Sequence, residues 1–132
     1  MARVVSLSEA GSIAIHGMVL IAKADKPVNV IQLSERMCAS RHHVAKVLQR
    51  LAKAGLLSSA RGPLGGFSLA KEPGEVNLLQ IYESIEGSIE IHQCPLDKPI
   101  CPFDKCIMSN VASRMTKEFR DYLQNSMLAD FI

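Results

Sequence analysis

The fold of this chain is decided by the stretch SRHHVAKVLQRL, residues 40–51. Its apolar residues Val44, Val47, Leu48 and Leu51 recur at i, i+3, i+4 and i+7, which is the spacing of one face of an amphipathic helix. The hydroxyl of Ser40, just before this pattern, can accept a hydrogen bond from the free N–H groups of a first helical turn. The spacing therefore predicts a helix that begins after Ser40, buries one face and presents its basic residues on the other.

Basic and acidic residues are segregated around this helix. The block from Arg36 to Lys71 holds seven of the 15 Lys and Arg residues and none of the 13 Asp and Glu residues. An acid-free basic surface is typical of a nucleic-acid footprint, because Lys and Arg beside phosphates release condensed counterions and acids there would be repelled. On charge alone, a solvated basic surface without a partner explains the block equally well.

A second short helix is predicted just before Ser40. Asn29 and Gln32 form a capping-box pattern, and Gly55 supplies the stop for the basic helix that follows. Two short helices joined by a tight turn, with the second one basic, form a helix-turn-helix. Cys38, in that turn, is expected to be a small buried side chain. The shared apolar face of the first of the two helices consists of Val30, Leu33, Ser34 and Met37.

A β-hairpin is predicted after Gly55, from the strand-like pieces LLSS (56–59) and FSLA (67–70) and the glycine-rich tip RGPLGG (61–66). A hairpin directly after a helix-turn-helix is a wing. A nucleotide-binding loop is disfavoured, because it would need Gly-Lys-Ser/Thr at the start of a helix and Phe67 opens a strand instead. The predicted fold class is mainly α with a small β-hairpin wing, a winged helix-turn-helix with a long C-terminal helix.

The buried face of the basic helix determines which of its residues point outward. Outward residues near its N-terminus would face base edges, and the later ones would meet phosphate. In the wing, an arginine could enter a minor groove or hold a phosphate, and paired glycines let backbone approach a duplex closely. For His42 and His43, the alternative interpretation is that they are exposed at the start of the helix without contacting a partner. The DNA contacts predicted from the residues are Arg41, His42, His43, Lys46, Gln49, Arg50, Arg61, Gly65 and Gly66.

Three further helices are predicted. The first runs from near Ser8 to about Ala24, and another opens at Asn77 and ends at Gly87. The last runs from Cys106 to about residue 124, with apolar residues spaced nearly as in a coiled-coil seam. Such a stripe either closes the core or pairs with another chain, and pairing suits a DNA binder because two half-sites need two copies. The seam consists of Met108, Val111, Met115, Phe119 and Tyr122.

The composition predicts one soluble cytoplasmic domain. A chain of 132 residues can bury a core without disulfides, with a DNA-binding part at about residues 1–75 and a cysteine loop and dimerisation helix at about 76–132. The apolar run at 13–22 is interrupted by His16 and falls short of the roughly 20 residues that a membrane span needs. No acid–base constellation is visible, so the protein is not expected to be an enzyme.

Three cysteines, Cys94, Cys101 and Cys106, lie within thirteen residues, and Pro95 and Pro102 each follow a cysteine directly. In a reducing cytosol such a cluster indicates metal ligands or redox chemistry rather than structural disulfides. The spacing matches neither structural zinc nor ferredoxins. The residues alone leave open an iron–sulfur cluster, a metal-free thiol switch, zinc or no role. A small iron–sulfur redox protein would leave the acid-free block unexplained.

Together these features resemble the Rrf2 type of winged-helix regulators. The resemblance is carried by SIAIH (12–16), the helix-turn-helix from Ser34 to Leu51, RGPLGGF (61–67) and the three-cysteine loop before the last helix. It implies a homodimer held by the C-terminal helices that binds double-stranded promoter DNA. It also implies that the three cysteines ligate a 2Fe-2S or 4Fe-4S cluster that controls binding. In similar proteins, DNA is met at the positions of Ser40, His42, Lys46 and Arg61.

The chain departs from the family at the fourth cluster ligand. Some relatives have a histidine three residues after the last cysteine, where this chain has Ser109. Others use a carboxylate from the first helix of the partner subunit, at the position of Ser12. Serine is a poor iron ligand, so a substitute is expected, and Glu9 or His16 is preferred over His92 and Asp104 because the first helix can reach across the dimer.

Overall fold

The computed structural model describes residues 7–91, 102–105 and 107–132, and it confirms a mainly α-helical fold with one β-hairpin. Short 3-10 turns lie at Pro73–Glu75 and Leu128–Phe131. Within these ranges, no helix combines the length and apolar character needed to cross a membrane. The main elements are α1 (Glu9–Lys23), α2 (Val30–Met37), α3 (Arg41–Lys53), β1 (Leu57–Ala60), β2 (Gly66–Leu69), α4 (Leu78–Glu86) and α5 (Val111–Asn125).

The core lies where α1, α3 and α4 meet. The predicted inward face of α3 is confirmed, because none of its four apolar side chains exposes more than 2% of its surface. Burying a Val or Leu side chain contributes about 1.5–3 kcal/mol, so rotation of α3 about its axis is strongly opposed. Four side chains of α4 are buried as well: Leu78, Ile81, Tyr82 and Ile85.

Side-chain caps fix where the first four helices begin. Each cap oxygen accepts a hydrogen bond from a backbone N–H of the first turn, which satisfies a donor that has no partner within the helix. In the two asparagine caps, a glutamine side chain also accepts from the cap residue's own N–H, completing a capping box. The pairs are Ser8 with Gly11, Asn29 with Gln32, Ser40 with His43 and Asn77 with Gln80, at 3.1, 2.8, 3.1 and 2.8 Å.

The wing is anchored to the linker between α1 and α2. β1 and β2 pair in antiparallel register, with Leu57 opposite Leu69. On the other side of β2, Phe67 N donates to Val28 O at 2.8 Å and Val28 N donates to Phe67 O at 3.0 Å. These two bonds pair Val28 with Phe67 of β2 as a β-bridge, and they hold the hairpin beside the helix-turn-helix.

The paired glycines of the wing are required by contacts inside the protein. Gly66 has a φ of 145°, and a Cβ added to it would lie 2.7 Å from Val28 O. A Cβ on Gly65 would lie 2.3 Å from Ala60 O. Backbone therefore occupies the space that larger side chains would need. Contact of these glycines with DNA stays a prediction.

Helix α5 begins at Val111, so the prediction that it starts at Cys106 is wrong. The two residues before it, Ser109 and Asn110, have left-handed backbone with φ of 52° and 58°, which breaks a right-handed helix. The face of α5 that packs on α4 is also different from the predicted seam, since its buried residues are Ala112, Thr116 and Leu123.

Within the predicted seam, the structure separates Phe119 from Met115 and Tyr122. Phe119 is half-buried and meets Tyr82 of α4 edge to face, with ring centroids 5.3 Å apart. Met115 and Tyr122 expose 50% and 59% of their surface. The intramolecular core therefore uses Phe119 and leaves these two apolar side chains facing outward.

The last residues return to the start of α4. Leu78 N donates to Ser126 O at 2.9 Å, and Leu128 N donates to Val76 O at 2.8 Å. Leu128 is fully buried. Leu128 belongs to the second 3-10 turn, which packs into the same core as the helix-turn-helix.

We expect Gly66→Ala to lower the free energy of unfolding by about 1–3 kcal/mol, because alanine is strained at this φ and its Cβ would overlap Val28 O. Gly74→Ala is the matched control, since nothing lies within 4 Å of a Cβ at that position, and its effect should stay within about 0.5 kcal/mol. Urea unfolding followed by circular dichroism measures both. Equal stability of the two variants would contradict the close approach of the wing to the linker.

Candidate nucleic-acid interface

The outward face of α3 brings four of the predicted DNA contacts together. Arg41, His42, Lys46 and Gln49 are all exposed. Positions 42, 46 and 49 follow the i, i+4, i+7 spacing of one helix face. We call these four residues the α3 strip. Because the opposite face is buried, the α3 strip has one fixed orientation relative to the core.

Ser40 has a structural role as well as a predicted DNA contact. Its Oγ accepts from His43 N at 3.1 Å and so begins α3. A hydroxyl can accept and donate at once, so this group can cap the helix and still donate to a phosphate oxygen. The N-terminus of α3 also carries the positive end of the helix dipole, which favours an anion there.

His43 contacts α1, unlike the α3 strip. Its Nδ1 lies 3.7 Å from Glu9 Oε1, and the side chain is 35% exposed. The pair is ionic only when the imidazole is protonated. The predicted DNA contact by His43 stays a prediction, and its observed neighbour is the first turn of α1.

Arg50 makes a hydrogen bond inside the protein. Its Nη2 donates to Ile85 O, in the last turn of α4, at 2.8 Å. The last carbonyls of a helix lack donors within the helix and lie at the negative end of its dipole, so a guanidinium is favourable there. This contact with α4 separates Arg50 from the four residues of the α3 strip.

The wing presents one cation and one apolar side chain. Arg61 is exposed directly after β1. Leu64, at the tip, is 89% exposed and was not among the predicted contacts. Its position between Pro63 and Gly65 in a hairpin tip could have signalled this exposure, because a side chain at such a tip has little to pack against.

The expectation that Cys38 is buried is wrong. The residue is a free, exposed cysteine with left-handed backbone, φ 52° and ψ 43°. Ala39 N donates to Ser34 O at 3.0 Å, which closes the turn between α2 and α3. A turn this tight places the side chain at its centre on the outside.

The three loop cysteines, Cys94, Cys101 and Cys106, lie outside the described residues, as does His92. In the part of the chain that is described, no three His, Cys, Asp or Glu side chains are grouped as metal ligands. The two preferred fourth ligands are both exposed on α1. Glu9 faces His43, and His16 Nδ1 is 2.7 Å from Ser12 O one turn earlier, so Nε2 is the nitrogen of His16 that points away from its own helix.

A capped basic helix set on a buried face, preceded by a second helix and followed by a wing, defines a winged helix-turn-helix transcriptional regulator. The family model described as "Rrf2: Iron-dependent Transcriptional regulator" matches residues 7–132. The chain therefore belongs to the Rrf2 family, as its sequence predicts.

Similar proteins include the HTH-type transcriptional regulators IscR of Klebsiella pneumoniae and Serratia proteamaculans. They are 27% and 26% identical to this chain over 128 residues, covering 96% of this chain and 78% of each relative. Among solved structures, T. potens IscR has a TM-score of 0.73 at 27% identity, covering 96% of this chain and 85% of its own. CymR, the global cysteine regulator of B. subtilis, has a TM-score of 0.75 at 22% identity, covering 96% and 95%. The CymR structure shares the fold.

Proposed function

We propose that this regulator binds double-stranded promoter DNA as a homodimer, reading the major groove with α3, and that its three-cysteine loop controls binding by holding an iron–sulfur cluster. The observation that carries the DNA-binding half is the α3 strip, an exposed polar and basic surface in an acid-free block on a helix whose opposite face is buried. Acids are absent from the whole outward surface of this block, so no side chain in it would repel a phosphate.

The positions along α3 divide the contacts by kind. His42 and Lys46, in the first half of the helix, would meet base edges, where hydrogen bonds carry sequence information. Arg41 and Gln49 would flank them. Arg61 projects from the wing beside α3, where it would hold a phosphate or enter a minor groove.

The outer face of α5 supports a homodimer. Ile107 and Met108 in the preceding turn expose 73% and 49% of their surface, and Met115 and Tyr122 continue this exposed apolar row along the helix. An open groove of about 860 Å³ between α1 and α5 adjoins it, lined partly by Val19 and Tyr122. Large exposed apolar side chains grouped on one segment favour an interaction site there. A second copy fits it, because paired half-sites on DNA require two recognition helices.

The donor set of the loop fits an iron–sulfur cluster. Thiolates are the ligands such clusters prefer, and the matching family model is described as iron-dependent. Cys94, Cys101 and Cys106 would hold the group, and Glu9 or His16 from the partner's α1 would complete it. When bound, the cluster supplies a redox-active and chemically labile group. A non-cysteine fourth ligand would be more easily displaced than a thiolate, which suits a sensor.

A metal-free thiol switch is the second candidate for the control. Ser109 and Ser12 stand where relatives carry the fourth ligand, and a serine hydroxyl is a poor partner for iron. Three cysteines without a fourth ligand can still form a reversible disulfide. Under this alternative, DNA binding by the α3 strip is unchanged and only the chemistry of the loop differs.

The DNA contacts are tested by salt-dependent titration of a duplex selected in vitro with the wild-type protein. We expect Lys46→Ala to cost about 1–3 kcal/mol of binding free energy, since it removes a base-edge donor. Arg61→Ala should lower the slope of log K against log salt by about one, since it removes one phosphate contact. Lys117→Ala, an exposed cation on α5, is the matched control and should change neither quantity.

Within the same test, Ser40→Asp distinguishes an effect on DNA binding from an effect on the stability of the fold. Aspartate keeps the N-cap, so the unfolding midpoint in urea should stay at the wild-type value. Its carboxylate would face phosphate, so duplex affinity should fall. Wild-type affinity in Ser40→Asp would place the start of α3 away from the DNA backbone.

The dimer is tested by the oligomeric state. We expect the wild-type protein to elute as a dimer in size-exclusion chromatography with light scattering. Tyr122→Asp should shift it toward monomer, because it places a charge in the apolar row. Tyr122 and Lys117 are both exposed on α5. Circular dichroism should therefore show an intact fold in Tyr122→Asp and in the control Lys117→Ala. A monomeric wild type would contradict the proposal.

The control by a cluster is tested by anaerobic purification. We expect visible absorbance, iron and acid-labile sulfide in the wild-type protein. These should disappear when Cys94, Cys101 and Cys106 are changed to serine and persist in Cys38→Ser. An iron-free wild type whose DNA affinity follows a reversible disulfide would overturn the cluster and support the thiol switch.

A further inference from the structure

The last turn of α4 is the point at which the cysteine loop leaves the folded core. Gly87, with a φ of 87°, ends the helix, and Cys94 follows Ile85 by nine positions. The first residues after α4 fold back onto it, because Ile89 N donates to Glu83 Oε2 at 3.0 Å. This turn of α4 is therefore the helical turn that adjoins the N-terminal side of the cysteine loop.

Arg50 joins the same turn directly to α3. Its Nη2–Ile85 O bond of 2.8 Å spans 35 positions in sequence and is partly buried. The acceptor is a helix-end carbonyl, which has no donor within its own helix. The charged donor and the negative end of the α4 dipole make this a charge-assisted hydrogen bond, stronger than an ordinary surface contact.

A second connection runs from this turn through α1. The Glu86 carboxylate accepts from the backbone N–H of Ser8 at 3.3 Å and also contacts its hydroxyl. Gly11 leaves room for that carboxylate, since an added Cβ would lie 2.9 Å from Glu86 Oε1. Glu9, which follows Ser8 and is the first residue of α1, faces His43 at the start of α3. Both ends of α3 are therefore connected to the last turn of α4, with Arg50 as the direct link.

We infer that Arg50 is a positioning residue that couples the state of the cysteine loop to the setting of α3, and is not a phosphate contact. This inference rests on the proposed function. A hydrogen bond of this length is lost when its two atoms move apart by about 0.8 Å. A small shift of the end of α4 therefore removes a contact that fixes the position of α3. Thermodynamic reciprocity requires that DNA binding act back on the loop through the same bond.

The test compares DNA affinity in two states of one protein. The chain has four cysteines, so in a Cys38→Ser background only the three loop thiols remain. Duplex affinity is measured with these thiols reduced and again after complete alkylation by N-ethylmaleimide, which adds bulk to the loop. In this parent, the two affinities should differ by about fivefold or more.

Arg50→Met keeps the apolar stem and removes the donor. We expect the ratio of the two affinities to fall to within about twofold of one, and Arg50→Lys, which retains a charged donor, to restore part of it. Lys53→Met, one turn later on α3 and exposed, is the matched control and should keep the parent ratio. Urea unfolding verifies that each variant is folded.

The outcomes separate the roles that Arg50 could have. A phosphate contact would lower affinity equally in both states and reduce the salt slope by about one, leaving the ratio unchanged. A purely structural role would lower stability and also leave the ratio unchanged. Either result overturns the inference, as does a parent that binds DNA with equal affinity in both states. A parent that binds no duplex in either state, and none as purified anaerobically, overturns the proposed function itself.

Discussion

The buried face of α3 is the constraint on which the rest of the structure depends. Val44, Val47, Leu48 and Leu51 are almost completely removed from solvent. A rotation of about 100°, the angle between successive residues, would bring an apolar side chain out and a charged one in. The core therefore determines which side chains of α3 point outward, and those side chains are basic or polar. The surface that we propose to read DNA is a consequence of how the opposite surface packs.

Helix α4 connects the helix-turn-helix to the remainder of the chain. At its start, backbone hydrogen bonds from Leu78 and to Val76 hold the C-terminal 3-10 turn. At its end, Ile85 and Glu86 accept hydrogen bonds from α3 and from the cap of α1. Elements that a linear division at residue 75 would separate thus share one core. Such a frame can transmit a change at the loop, because close-packed cores shift between discrete arrangements rather than deforming smoothly.

The exposed apolar row of α5 gives the second half of the chain a different role from the first. Its inward side, with Ala112 and Leu123, closes the core of its own subunit. Its outward side, with Met115 and Tyr122, is left for another surface. Of the two predicted roles, closing the core is met by the inward face of α5, and the proposed homodimer would use the face that the core leaves exposed.

The sequence by itself determined the starts of α1 to α4, the buried stripe of α3, the wing and the acid-free block, because caps, the 3.6-residue period and turn residues act between neighbours along the chain. Only the tertiary structure decided the partners of Arg50 and His43, the internal reason for the wing glycines, the exposure of Cys38 and which face of α5 is buried. The exposure of Cys38 follows from the backbone of its own turn, and each of the others depends on atoms distant in sequence that packing brings together, such as Arg50 and Ile85. The helical period predicts on which side of a helix a side chain lies. The partner of a long side chain such as arginine depends on the neighbouring helix.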